Sequence, residues 1–279
     1  MRFLAGLAAD EYGDCDELPP LVLLHGLTFD RSLWQPVLDE LHRIDPRRRA
    51  LLLDLPGHGE SPDWSSYNMG SVAEAVHRAV EQAQLPAPVI VGHSISAIVA
   101  SVYAATYPTR GVVNVDQPLQ VGPFACLVKS LAEQLRGPAF PAVWAMFEAS
   151  MHLELLPEPA QRLVRASSRP HQDLVLGYWR EVLDQPVDDV VATAEAGLRA
   201  VRAARVPYLI VAGSDMEPAY ANWLATELPG SGITVLPGGS HFPHLAHPDL
   251  FAAALHAFPA TKVNPPSESR PGTAAQPVG

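Results

Sequence analysis

The sequence of 279 residues has very little cysteine and no long hydrophobic run. Its two cysteines, Cys15 and Cys126, are too few and too far apart to form the disulfide framework of a small secreted domain. The apolar run at the N-terminus is too short for a secretory signal, and no uninterrupted apolar window of about 18 residues occurs. We therefore expect a cytoplasmic protein that does not insert into a membrane.

Positively charged residues are also scarce. The chain contains 19 Lys and Arg against 30 Asp and Glu, so its formal net charge is −11. The longest basic run is Arg47 to Arg49, which is too short to hold a polyanion and excludes nucleic acid as a partner. Hydrophobic residues make up 48% of the chain, which excludes a disordered or fibrous protein. The expected partner is a small molecule, and the composition is compatible with a monomer or a homodimer.

Short apolar runs alternate along the chain with amphipathic stretches, which is typical of a parallel sheet covered by helices on both faces. Runs such as Leu-Val-Leu-Leu and Val-Ile-Val are apolar on both faces, as buried parallel strands require. The pattern therefore predicts an α/β fold. The predicted strands span residues 21–24, 50–54, 89–92, 111–116, 208–212 and 233–236, and the predicted helices span 32–42, 71–84, 95–107, 218–228 and 248–257.

The interval between Asp116 and Pro207 contains no convincing strand and is interpreted as an inserted helical block. Two stretches in it carry apolar residues at helical spacing. In the simpler interpretation each stripe packs on the rest of the domain, and in the alternative it lines a pocket. The two stripes are Trp144, Phe147 and Met151, and Val175, Trp179 and Val182.

Residues 261–279 are rich in Pro, Ser, Gly and Ala, which predicts a disordered tail.

A serine stands at the junction between a predicted strand and a predicted helix. The segment from Gly92 to Ser96 follows the strand Val-Ile-Val, and an apolar helix begins at once after it. Such a turn exposes the central serine, Ser94, over the N-terminus of the helix, where developing negative charge is favoured. The usual pattern is G-x-S-x-G, and here Ser96 replaces the last glycine. The alternative is a buried structural serine.

Three further segments, taken with the serine turn, resemble the α/β-hydrolase fold superfamily over residues 18 to 258. They are the His25-Gly26 pair, the D-L-P-G-H-G-E-S segment from residue 54 and the H-F-P-H-x-x-H-P segment from residue 241. The resemblance implies a mostly parallel sheet flanked by helices, with a core at 1–116 and 206–260 and a helical cap at 117–205. Because the N-terminal part is short, the first strand of the family pattern is expected to be missing or displaced.

The resemblance implies a catalytic triad in which Ser94 is the nucleophile and His241 is the base. Two positions remain open for the acid. Most of the family takes it from G-x-x-D after the seventh strand, where Asp215 comes one residue early and Met216 fills the slot. Asp116, at the end of the sixth strand, is the alternative used by zearalenone-type lactonases. We prefer Asp116, although either aspartate could simply cap a neighbouring segment.

The resemblance also implies an oxyanion hole formed by the backbone amides of Leu27 and Ile95. For the pocket wall we expect aromatic residues of the inserted block. Trp179 is the main candidate, with the alternative that it only anchors the cap, and Tyr178 is turned about 100° away from it on a helix. The pocket candidates are Trp179, Tyr178, Trp144 and Phe147.

The histidines are not interpreted as metal ligands. His241, His244 and His247 recur at intervals of three, but the prolines between and after them prevent one regular helix from collecting them. His25 and His58 are expected to be structural, and the His93 side chain is expected to point away from the nucleophile. No metal and no cofactor are implied.

The favoured function is hydrolysis of a hydrophobic carboxylic ester or lactone through an acyl-enzyme. Cleavage of a carbon–carbon bond next to a ketone uses the same scaffold and is the first alternative. The second is a binding protein of low turnover, which the Ser96 substitution and the irregular acid would permit. Haloalkane dehalogenase and epoxide hydrolase chemistry is disfavoured, because both need a carboxylate where this chain has Ser94.

Overall fold

The computed structural model describes residues 1–14, 17–238 and 240–258, and the tail predicted at 261–279 lies outside them. Their strands form one sheet in the order β1-β2-β4-β3-β5-β6-β7-β8. Strand β2 pairs antiparallel with β1 and β4, and the other neighbours pair in parallel. The strands are β1 (Arg2–Leu4), β2 (Leu7–Tyr12), β3 (Leu21–Leu24), β4 (Ala50–Leu53), β5 (Val89–His93), β6 (Gly111–Val115), β7 (Tyr208–Ala212) and β8 (Gly232–Val235).

Helices fill both faces of this sheet and the interval between β6 and β7. No helix in the described ranges combines the length and the apolar character needed to cross a membrane. The helices are α1 (Gln35–Ile44), α2 (Met69–Gln82), α3 (Ile95–Thr106), α4 (Gly122–Ser130), α5 (Ala132–Arg136), α6 (Phe140–Ser150), α7 (Glu158–Ser167), α8 (Gln172–Tyr178), α9 (Arg180–Asp184), α10 (Val187–Ala203), α11 (Pro218–Glu227), α12 (Pro243–Ala246) and α13 (Pro248–Ala257).

The predicted α/β fold is confirmed, with an additional hairpin at the N-terminus. Strands β3 to β8 coincide with the six predicted strands to within one residue at each end. The first strand, expected to be missing or displaced, is not missing, because β1 and β2 are both present and β2 continues the sheet beyond β4. The segment Leu7–Tyr12 is buried in its first half and exposed in its second. Its strand conformation therefore depends on pairing with β4, and the apolar pattern within the segment does not indicate that pairing.

The core lies in two layers, one on each face of the sheet. Helices α1 and α13 cover one face, where Val37 and Leu41 pack in the same cluster as Phe251 and Leu255. Helices α2 and α3 cover the other face. Because the parallel strands are buried on both sides, the groups that follow them are collected at one edge, where their carboxyl ends meet.

Helices α4 to α10, residues 122–203, are termed the helical insertion. One predicted feature of it is wrong: residues 175 to 182 do not form one continuous helix. Helix α8 ends at Tyr178 and α9 begins at Arg180, with Trp179 (φ −93°, ψ 6°) at the break. The indole of Trp179 packs edge-on against the rings of Phe124 and Phe147. We attribute the break to this packing between helices, which spacing along one helix does not encode.

Candidate active site

The turn between β5 and α3 carries Ser94 in a strained backbone conformation. Its φ of 55° and ψ of −134° are rare for a residue with a side chain, and such strain is concentrated at functional sites. The amide of Ser94 donates to Val115 O at 2.9 Å, which ties the turn to β6. Gly92 is required by space, because a Cβ there would lie 2.2 Å from the carbonyl oxygen of Ser96. Strand β5 and helix α3 therefore approach closely, and the tight turn between them places Ser94 on the wall of a cavity.

The departure from G-x-S-x-G at Ser96 has a structural explanation. Ser96 is fully buried, and its hydroxyl donates a hydrogen bond to the carbonyl oxygen of His25. The side chain thus links the first turn of α3 to the segment that follows β3. Glycine at this position could not make that bond, so Ser96 adds a fixed contact between the two turns that border the site.

His241 lies beside Asp116, at the end of β6. Its Nδ1 is 2.8 Å from Asp116 Oδ2, and both side chains are partly buried. The other carboxylate oxygen of Asp116 accepts a hydrogen bond from the amide of Gly213 at 2.9 Å. Asp215 is exposed, and the described part of the chain offers it no hydrogen bond or ion pair. Of the two candidate acids, the structure brings Asp116 to the imidazole.

The backbone of His241 is fixed from two sides. Its amide donates to Met151 O, at the end of α6, at 3.2 Å. Its carbonyl oxygen accepts from Nε2 of His93 at 2.9 Å, and burial, reinforced by the neighbouring His244, holds the pKa of His93 well below its usual value. The His93 side chain was expected to point away from the nucleophile, and that expectation did not include its contact with His241. Only its position next to Ser94 in the sequence could have indicated that contact.

A cavity of about 510 Å³ opens beside Ser94 and His241. Leu27 and Ile95 both lie on its wall, and Ile95 is the first residue of α3, where amides have no partner within the helix. Glu181 is the only acidic or basic side chain besides His241 among the lining residues that the structure describes. The rest of the wall is mostly aliphatic and aromatic. It includes all four predicted pocket residues, Trp144, Phe147, Tyr178 and Trp179.

Tyr178 differs from the other three aromatic residues of the wall. Its hydroxyl donates to Pro56 O at 3.0 Å, and its ring stacks on Tyr67 with centroids 4.8 Å apart. Both partners belong to the segment that follows β4. Tyr178 therefore attaches the helical insertion to the core as well as lining the cavity.

His25 and His58 are buried next to each other and serve as hydrogen-bond acceptors for backbone amides. His25 Nε2 accepts from Leu55 N, and His58 Nε2 accepts from Thr28 N, each at 3.0 Å. Each Nδ1 donates to a carbonyl oxygen, of Gly26 and of Pro56 respectively. Burial lowers the pKa of both imidazoles, so both are neutral. They cross-link the turns after β3 and β4.

The three histidines spaced along residues 241 to 247 contact different groups. His244 is buried against Trp34, with ring centroids 4.7 Å apart, and burial lowers its pKa to about 3. His247 Nε2 donates to Pro237 O at 2.6 Å. Among the described residues, no group of three or more His, Cys, Asp or Glu is arranged to hold a metal ion.

The segments that build this site match a known family. A model of the alpha/beta hydrolase family covers residues 21–254. The chain belongs to the alpha/beta hydrolase family. It is a hydrolase, as the resemblance of its motifs implied, and the family match spans all the residues of the site.

Similar proteins include esterases and other hydrolases. A pimeloyl-acyl-carrier-protein methyl ester esterase of Yersinia enterocolitica is 29% identical over 269 residues, which cover 88% of this chain and 93% of that protein. An esterase from Exiguobacterium antarcticum has the same fold, with a TM-score of 0.71 and 17% identity over 90% of this chain and 94% of that one. The enol-lactonase from Burkholderia xenovorans superposes with a TM-score of 0.64 and 17% identity, covering 90% and 95% of the two chains. The narrower resemblance to zearalenone-type lactonases stays a prediction.

The buried histidines of this hydrolase predict a loss of stability in mild acid. The lowered pKa values of His25, His58, His93 and His244 mean that the folded state binds protons less readily than the unfolded state. Stability should therefore be complete above about pH 6.5 and fall as the pH decreases below it, by of order 1 kcal/mol per pH unit for each histidine. Urea unfolding between pH 8 and pH 5 measures this slope.

A pair of variants assigns the effect to burial. His244→Leu should make the free energy of unfolding less dependent on pH, because one proton-binding difference is removed. His42→Leu is the control, since His42 is exposed on α1. A slope equally reduced by both variants, or unchanged in His244→Leu, would contradict the assignment.

Proposed function

We propose that the protein hydrolyses hydrophobic carboxylic esters, including lactones, with Ser94, His241 and Asp116 as its catalytic triad. The observation that carries the proposal is the hydrogen bond of 2.8 Å between His241 Nδ1 and Asp116 Oδ2. His241 and the strained Ser94 line one cavity, as a nucleophile and its base must. Asp116 fixes the tautomer in which Nδ1 carries the proton, so Nε2 is the atom that accepts one.

The reaction follows from these roles. Ser94 Oγ attacks the ester carbonyl carbon while His241 Nε2 takes its proton. The carbonyl oxygen becomes an oxyanion, which the amides of Leu27 and Ile95 stabilise. The intermediate collapses to an acyl-enzyme, and the proton on His241 passes to the leaving alcohol. Water then attacks the acyl-enzyme with His241 as base, and the acid is released. With a lactone, the alcohol and the acid are two ends of one product.

The wall of the cavity supports a neutral, apolar substrate. Its lining is mostly aliphatic and aromatic, and Glu181 would repel a substrate carboxylate. The described lining contains no lysine or arginine that could pair with an anionic substrate. The Yersinia relative is named as a methyl ester esterase, which supports an ester, rather than another acyl compound, as the substrate. We therefore infer an ester whose acid or alcohol part is a bulky hydrophobic group.

The helical insertion serves as a cap in this proposal. Its α4, α6, α9 and α10 contribute Phe124, Phe147, Glu181 and Leu198 to the cavity wall, whereas the proposed catalytic groups lie in the segments that follow strands β5, β6 and β8. This division supports a catalytic core at 1–116 and 206–260 and a cap at 117–205. The core would supply the chemistry and the cap the shape of the substrate pocket.

Two measurements test the proposal together. A fluorophosphonate probe should label Ser94, and a panel of aryl esters, alkyl esters and lactones should contain substrates that are turned over. Labelling without hydrolysis of any panel member would contradict the ester proposal and favour the carbon–carbon bond hydrolase. Failure of both measurements would favour a binding protein of low turnover. Peptide mapping of the labelled protein identifies the modified serine.

Trp179→Ala is expected to change substrate preference and stability together. The indole lines the cavity and is 5% exposed, with its ring centroid 5.1 Å from that of Phe147. Removing it should raise KM for bulky aromatic esters several-fold more than for acetate esters, because the short acyl group does not reach the wall. The lost packing should cost about 3 to 5 kcal/mol. Kinetics on paired esters and thermal unfolding measure the two effects.

The conservative variant Trp179→Phe separates the two effects further. Phenylalanine keeps an aromatic ring at the junction of α8 and α9 but removes the indole N–H and part of the ring area. It should retain most of the stability and an intermediate ester preference. A large drop in Tm with unchanged ester preference in Trp179→Ala would leave Trp179 with a packing role alone.

A further inference from the structure

The turn that follows β3 contains a strained residue next to the proposed oxyanion hole. Thr28 has a φ of 70°, a left-handed conformation that is unfavourable for a β-branched side chain, and it is almost fully buried. The preceding residue is Leu27, whose amide is a proposed donor to the oxyanion. Leu27 and Thr28 are the two central residues of a turn that the bond from Phe29 N to Gly26 O closes at 3.3 Å, so the orientation of the Leu27 peptide is coupled to the conformation of Thr28.

The core holds Thr28 by its amide. The N–H of Thr28 donates to His58 Nε2 at 3.0 Å, and His58 Nδ1 donates to Pro56 O at 3.0 Å. His58 can accept this bond only as the neutral tautomer protonated on Nδ1, and its second bond selects that tautomer. The bond to Thr28 is therefore fixed by the fold of the segment after β4.

The helical insertion holds the same residue by its carbonyl group. The amide of Arg169, between α7 and α8, donates to Thr28 O at 2.8 Å. The side chain of Arg169 is exposed, so the contact is made by its backbone. Of the two main-chain polar groups of Thr28, the amide is thus bound by the core and the carbonyl oxygen by the helical insertion.

We propose that the backbone amide of Arg169, together with His58, holds Thr28 in its left-handed conformation and so aims the Leu27 amide at the reacting carbonyl oxygen. A strained conformation persists where its surroundings over-determine it, and these two bonds add to the constraint of the turn between Gly26 and Phe29. The backbone amide of Arg169 and the imidazole of His58 are the positioning groups, since neither residue lines the cavity. The inference rests on the proposed ester hydrolysis, and it gives the helical insertion a part in transition-state stabilisation.

A positioning role and a pocket-wall role for this bond predict different kinetic effects. Every ester places its carbonyl oxygen in the oxyanion hole, whatever the size of its acyl group. Losing the Arg169 bond should therefore lower kcat for short and bulky esters by the same factor. A displaced pocket wall would instead change KM, and would do so mainly for bulky esters.

The test compares Arg169→Pro with Arg169→Ala. Both variants remove the side chain, but only proline removes the N–H that donates to Thr28. Ser168 already has the extended backbone that a following proline requires, with φ −67° and ψ 124°. Relative to Arg169→Ala, we expect Arg169→Pro to lower kcat by about 10-fold or more on acetate and bulky esters alike, with KM within about twofold.

A second readout reports on the oxyanion hole directly. An arylboronic acid forms an anionic tetrahedral adduct with a serine nucleophile and places one boron-bound hydroxyl group where the oxyanion develops. Its inhibition constant should increase in Arg169→Pro by about the factor by which kcat falls, and should be unchanged in Arg169→Ala. Thermal unfolding of both variants shows whether the fold is retained.

Should Arg169→Pro fail to fold, a backbone ester keeps the test decisive. The α-hydroxy analogue of alanine at position 169 replaces the N–H by oxygen without the ring of proline, and Arg169→Ala remains its control. Equal kcat values in the variant and its control would overturn the positioning role while leaving the proposed hydrolysis intact. A wild-type chain that hydrolyses no ester would overturn both.

Discussion

Ser94→Ala should lose ester hydrolysis almost completely, by on the order of 10⁶ in kcat as for other serine nucleophiles. The hydroxyl is the atom that bonds to the acyl group, and the oxyanion hole and the cavity alone would provide only the residual rate. Labelling by a fluorophosphonate should disappear in parallel. The folded state should be retained, because the hydroxyl of Ser94 contributes no hydrogen bond to the part of the chain that the structure describes.

Ser150→Ala is the matched control for this experiment. Ser150 lies on the wall of the same cavity at the end of α6, and its hydroxyl donates to Phe147 O at 2.7 Å. Its hydroxyl is hydrogen-bonded to neither His241 nor Asp116 in the described residues, so its removal should leave kcat within about twofold. Substantial hydrolysis by pure Ser94→Ala, or an equal loss in Ser150→Ala, would contradict the assignment of the nucleophile.

Asp116→Asn should lower kcat by about 10⁴, as for triad aspartates elsewhere. The amide oxygen of asparagine can still accept from Gly213 N, and asparagine tolerates the positive φ of 56° at this position. The amide nitrogen then faces His241 Nδ1 and stabilises the tautomer with the proton on Nε2. That imidazole cannot accept the proton of Ser94. The loss should therefore lie in kcat, with little change in Tm.

Asp215→Asn provides the comparison within the same chain. Asp215 is exposed, and no described group binds its carboxylate, so the substitution should change kcat by less than about threefold. The reverse ranking of the two variants would move the triad acid to the segment after β7. Equal and large losses in both would indicate that Asp215 acts on His241 in the presence of substrate.

The periodic and local features of this protein are encoded in short stretches of sequence. Strands β3 to β8 are runs that are apolar on both faces, and such runs are recognisable because a buried parallel strand leaves no polar side. The Ser94 turn is likewise local, since the close approach at Gly92 depends on residues within one turn of each other. His241 was proposed as the base from a short motif, because the H-F-P-H-x-x-H-P segment is a continuous run of eight residues.

Which of Asp116 and Asp215 lies beside His241 depends on the tertiary structure. Both aspartates follow a parallel strand, and both could reach the edge of the sheet where the strands end. What distinguishes them is the turn at Asp116, whose positive φ directs the carboxylate between Gly213 and His241. These partners are 97 and 125 residues away in sequence, so no local pattern reports the geometry.

The sequence by itself determined the α/β fold, the serine turn and the histidine, because each depends on side-chain periodicity or on a short motif. Only the tertiary structure places Asp116 beside His241, breaks the helix at Trp179, brings His93 to His241 and forms the bond from Arg169 to Thr28. These features are formed by backbone groups or side chains that meet across long sequence separations. A backbone amide or carbonyl is chemically the same in every residue except proline, so its partner is determined by packing and leaves no signature in the sequence.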